Sequence, residues 1–103
     1  MSVLNAISPD KLVRLVGIPT GPVLIDVRPE EEFATEPLLI PGSLRRSAAD
    51  VGAWAGAFHS QSVVVACRDG GSLSQGVASR LRHEGVAAEA LEGGIAGWAS
   101  AGL

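Results

Sequence analysis

The apolar positions of this chain fall into short blocks whose spacing alternates between helical and extended. In Ser8–Val16 the apolar residues Leu12, Val13, Leu15 and Val16 mark one helical face. Ser8 is a good N-cap, Pro9 fits the first helical position and Asp10 suits the positive end of the helix dipole. Val23–Val27 is a β-branched, apolar run bounded by Pro22 and Pro29, which predicts a short buried strand. The acidic run Glu30–Glu32 then opens a brief helix, where carboxylates suit the first turn. A proline-rich loop follows, with a brief strand expected near Ser43–Arg45. Val51, Trp54, Ala55 and Phe58 stand at i, i+3, i+4 and i+7, which predicts a helix.

Ser62–Ala66 is the second clear strand. Val63–Val65 is apolar on both faces, as in a central strand of a parallel sheet. A helix beginning near Leu73 or Ser74 follows, with Leu73, Val77 and Leu81 on one face and Gly85 as its stop. Ala87–Leu91 reads as a weaker strand, and Gly93–Leu103 carries a last short helix in which Trp98 is a packing residue. Strands alternating with helices predict an α/β fold: a central, mainly parallel sheet with helices on both faces. The 103 residues fit a single domain, 1–103.

Composition narrows the function. A 47% hydrophobic and 18% charged content is that of a folded globular chain. The net charge of −3 leaves no basic face, so no nucleic-acid partner is expected. No apolar run approaches the ~18–20 residues of a membrane span, so no membrane partner is expected either. The one cysteine cannot form an internal disulfide or a multi-thiolate zinc site. A free thiol in a reducing compartment, the cytoplasm, is the expectation.

That cysteine, Cys67, ends the most apolar strand and enters the loop Arg68–Asp69–Gly70–Gly71–Ser72–Leu73 before a helix. Ligands of open α/β sheets bind outside the carboxyl ends of strands. A helix N-terminus offers unpaired N–H groups. Gly70 and Gly71, both able to take positive φ, would let further N–H groups converge as an anion-binding nest. A thiolate, a persulfide or a substrate oxyanion would suit such a nest, which favours a reactive thiol over a buried, inert one.

Four motifs in order resemble the single-domain rhodanese sulfurtransferases: "LIDVRPEEEF", "IPGS", "VVVACRDGG" and "LEGGIAGW". The resemblance spans nearly the whole chain. It implies a small rhodanese-like α/β domain and an enzyme of the thiosulfate:acceptor sulfurtransferase type. Cys67 would be the catalytic residue, carrying a sulfane sulfur as a persulfide from a small anionic donor such as thiosulfate. Cyanide or a thiol would take the sulfur, and a protein acceptor fits the same chemistry. No metal or organic cofactor is implied, because the sulfur rides on the enzyme. Arg68–Leu73 would form the substrate-binding loop. Asp26 and Arg28 would brace that loop, with a surface ion pair as the plainer reading. Arg45 and Arg46 would line the pocket or form a solvated pair.

The chain departs from the family at one point. Many rhodanese loops place Arg five positions after Cys; here that position is Ser72, and the loop runs one residue longer before its helix. Two rival readings follow. One is a non-catalytic rhodanese-like sulfur relay, sensor or binding module. The other is a phosphatase, disfavoured because Leu73 stands where the related phosphatases carry their Arg. His59 and His83, the only histidines, lie far from Cys67 in sequence.

Overall fold

A computed structural model describes residues 5–103; residues 1–4 of the expected domain lie outside that description. Five strands form one sheet: β1 (Ala6–Ile7), β2 (Val23–Asp26), β3 (Leu44–Arg45), β4 (Ser62–Ala66) and β5 (Ala87–Leu91). The order is β1-β5-β4-β2-β3 and every pairing is parallel. The most apolar strand, β4, is central, as its unbroken Val63–Val65 run requires. The helices are α1 (Pro9–Val13), α2 (Glu30–Thr35), α3 (Val51–Trp54), α4 (Ser72–His83) and α5 (Gly94–Ser100).

Strand alternation divides the core in two. Val63, Val65 and Cys67 face one side with Ile25 and Val27, under α3 and α4 residues such as Val51, Val77 and Leu81. Val64 and Ala66 face the other with Leu24 and Leu91, under Leu12 of α1 and Ile95 and Trp98 of α5. Helices thus cover both faces, and Trp98 is a packing residue.

Local differences from the sequence reading have physical causes. Ser8 caps α1 through its hydroxyl on the Lys11 amide, but the helix ends at Val13, and Val13 is exposed. The Val51–Phe58 segment keeps its buried face of Val51, Ala55 and Phe58. It is split, however, into one turn of α-helix flanked by 3₁₀ turns at Ala48–Asp50 and Ala55–Phe58. Gly52 and Gly56 weaken it as a continuous helix. The two-residue β1 had no sequence signal, being fixed only by its pairing of Ala6 with Ala90 and Ile7 with Leu91.

Candidate functional site

The chain leaves β2 toward β3 on one side, and the later strands β4 and β5 lie on the other. The crevice between β2 and β4 is therefore the topological switch point, where open α/β sheets bind ligands. Cys67 follows β4 directly at that crevice. Val27 lies across from it, its amide donating to the Ala66 carbonyl at 2.9 Å.

Cys67 is buried, with 3% of the residue's surface exposed. Its Sγ lies 3.1 Å from the Ser74 hydroxyl, which is also fully buried and reaches the Gly71 carbonyl at 3.5 Å. Ser74 was not singled out from sequence. The helix begins at Ser72, one or two residues earlier than expected, and sets Ser74 in its first turn.

The loop after Cys67 is held by α5. Ile95 N–H donates to the Cys67 carbonyl at 2.8 Å, and Ala96 N–H to the Arg68 carbonyl at 2.9 Å. In a trans peptide the N–H lies opposite the C=O. The amides of Arg68 and Asp69 are thereby turned away from α5, and neither has a backbone partner among the described residues. This approach requires Gly94 to lack a side chain: its φ is +59°, and a Cβ there would collide with the Cys67 carbonyl and the Gly70 amide. Gly70 takes the positive φ expected of it, +75°. Gly71 does not; its φ is −80°, and its amide is occupied by Asp69 Oδ1 at 3.0 Å. The glycine pair thus makes a turn closed by the Asp69 carboxylate and by Gln75, which donates to the Gly70 carbonyl at 2.8 Å.

Asp26 and Arg28 form a buried pair rather than a surface one, at 2.7 Å. Arg28 also donates to the carbonyls of Glu36 and Leu38, at 2.9 and 2.7 Å. The pair therefore braces the loop between α2 and β3, not the Cys67 loop as expected. Its guanidinium is wanted there because that irregular segment has carbonyls needing donors.

Arg45 and Arg46 flank a cleft of about 460 Å³ whose wall includes Val27, Ala48, Ala49 and Leu73. Arg45 packs over the Phe33 ring, 4.0 Å from its centroid, and donates to the Arg28 carbonyl at 3.0 Å. Arg46 is exposed and turns one N–H to the Arg45 carbonyl. Arg68 is exposed and borders a separate hollow of about 110 Å³ with Arg28, Glu36 and Ile95. His59 and His83 are exposed. No cluster of three metal-ligating side chains occurs among the described residues. No helix among them is long and apolar enough to cross a membrane.

The model of the rhodanese-like domain matches residues 8–101. The chain belongs to the rhodanese-like domain family. No curated protein matches it. Its fold is shared with solved structures of low identity. A rhodanese-like domain protein from Staphylococcus aureus is 24% identical with a TM-score of 0.79, over 92% of this chain and 91% of that one. A Rhodopseudomonas palustris protein described as a possible tyrosine phosphatase is 23% identical with a TM-score of 0.83, over 95% and 81%. The thiosulfate sulfurtransferase of Pseudomonas aeruginosa is 22% identical with a TM-score of 0.79, over 96% of this chain but only 18% of that one. In this rhodanese-like domain neither Ser72, exposed at the start of α4, nor Leu73, which turns to the cleft, supplies a guanidinium beside the thiol.

Proposed function

We propose that this rhodanese-like domain is a sulfurtransferase that carries sulfane sulfur on Cys67. The observation that supports this most is the setting of the thiol. It directly follows the central strand at the switch point, hydrogen-bonded to Ser74, with the loop carbonyls drawn off by α5 and the Arg68 and Asp69 amides left for an anion. The Cys67 thiolate attacks the outer sulfur of thiosulfate, a Cys67 S–S bond forms, the donor S–S bond breaks and sulfite leaves. Cyanide or a thiolate then attacks the outer persulfide sulfur and releases the Cys67 thiolate. No metal or organic cofactor enters either step. A lone thiol with no disulfide partner suits a reducing, cytoplasmic setting.

The burial of Cys67 and the missing loop guanidinium support a second reading, a sulfur relay, sensor or binding module that takes up sulfur without turning over. A phosphatase is disfavoured, since Leu73 gives a transferring phosphoryl group no clamp.

Intact mass after incubation with thiosulfate tests the proposal, on the native chain and on Cys67→Ser. A one-sulfur increase, reversed by reductant and absent from the variant, is expected. No adduct with thiosulfate or with thiol-based donors overturns it. Release of thiocyanate on adding cyanide separates the enzyme from the relay.

A further inference from the structure

A cavity of about 510 Å³ opens at the end of the sheet where the strands begin, opposite the end that carries Cys67. The first residues of β4 and β5 form its floor, and Lys11 of α1, Leu15, Pro22 and Arg82 of α4 form its walls. That volume falls in the range of sites for small organic molecules. A parallel strand rises about 3.3 Å per residue, so the path along β4 from Val63 to Cys67 separates cavity and thiol by roughly 13 Å.

Three charged side chains line the cavity, Lys11, Arg82 and Glu89, and none of them enters an ion pair among the described residues. Arg82 is anchored: one Nη donates to the Ala88 carbonyl at 3.0 Å, which fixes the guanidinium at the start of β5. Its other N–H groups have no partner among the described residues, and the Lys11 ammonium has none either. Glu89 is half-buried. Ala88 and Ala90 pack on the α4 side of the sheet and Leu91 on the α1 side, so strand alternation turns Glu89 toward the α1 side. A simple anion in this cavity meets Glu89, and a simple amine meets Lys11 and Arg82. A zwitterion matches all three charges, and Leu15 and Pro22 offer apolar surface to a hydrocarbon side chain.

We infer that this cavity is a second ligand site, separate from the thiol, that binds a free α-amino acid with an apolar side chain. The ligand carboxylate lies on Arg82 and Lys11, its ammonium on Glu89 and its side chain against Leu15 and Pro22. No bond is made or broken there. The site does not depend on sulfur transfer, and its test reads binding alone.

The whole chain, labelled with nitrogen-15, is titrated with L-leucine and followed by its amide resonances. Saturable shifts at Ser62–Val64 and Ala87–Glu89 are expected by about 10 mM leucine, with the Cys67 loop unmoved. Two analogues each lack one charge: 4-methylpentanoate has no ammonium and 3-methylbutylamine no carboxylate. Each is expected to bind about tenfold more weakly than leucine. Glu89→Gln weakens leucine by a similar factor and leaves 4-methylpentanoate unchanged. Lys11→Gln, at an exposed position that should leave the fold intact, weakens leucine and 4-methylpentanoate alike. No saturable shift with leucine overturns the inference, as do shifts confined to the Cys67 loop. Equal binding of leucine and its two analogues also overturns it, since apolar surface alone would then account for the binding.

Discussion

The Cys67 sulfur and the Ser74 hydroxyl stand 3.1 Å apart, both sealed from solvent between the central strand and the first turn of α4. A hydroxyl in that place can accept from the thiol or donate to the thiolate and persulfide. Hydrogen bonds to charged groups contribute ~1.5–3 kcal/mol. Ser74→Ala is therefore expected to slow sulfur transfer roughly tenfold or more, while costing only about 1 kcal/mol of stability. Single-turnover transfer and thermal melting, measured together, check this. A lower Tm with an unchanged rate would assign Ser74 to packing alone.

Gly94→Ala should act on the fold and the site together. A methyl group at φ +59° would press on the backbone of Cys67, Arg68 and Gly70, none of which can swing aside as a side chain can. A loss of about 2–4 kcal/mol is expected, a fall in Tm of roughly 10 °C or more in a chain of this size. Gly76→Ala, at a helical position with open space, is the control and should be neutral or stabilising. Equal melting of the two variants would contradict the close approach of α5.

Breaking the buried pair is expected to be costly. Asp26→Ala leaves Arg28 inside the protein with its carboxylate gone, which costs roughly 3–5 kcal/mol. Replacing both partners together, Asp26→Leu with Arg28→Met, removes the stranded charge and should recover part of that loss. Urea unfolding of the three proteins measures it. A double variant as unstable as Asp26→Ala would mean that the bonds from Arg28 to the Glu36 and Leu38 carbonyls carry the effect.

Ser72→Arg restores a cation five positions after the thiol. Ser72 is exposed at the start of α4, where a cation costs the helix a few tenths of a kcal/mol. The KM for thiosulfate is expected to fall about threefold to tenfold, with kcat little changed. An unchanged KM would show that this position does not contact the donor.

The architecture was legible because the long elements carry their own patterns. Val63–Val65 is apolar on both faces, and Leu73, Val77 and Leu81 repeat at helical spacing, so β4 and α4 follow from local sequence. Cys67 was legible as the end of the first and the start of the turn before the second. What stayed hidden is set by contacts distant in sequence. Ala6–Ile7 becomes a strand only beside Ala90 and Leu91. The target of Arg28 is chosen by where the Glu36–Leu38 carbonyls fall, which no spacing rule encodes. Gly71 resembles Gly70 on paper, yet Asp69 captures its amide and settles its conformation. Ser74 looked like one more polar residue at a helix start, because its significance depends on its contact with the Cys67 sulfur, seven residues away in sequence.

The hold of α5 on the loop has a consequence for the order of assembly. Cys67 and Arg68 are synthesised well before Ile95 and Ala96, whose amides fix their carbonyls. Until that helix docks, the carbonyls of Cys67 and Arg68 lack the two donors that hold them in the folded domain. On the proposed sulfur transfer, a partly made or partly unfolded chain holds Cys67 in a loop without these two anchors.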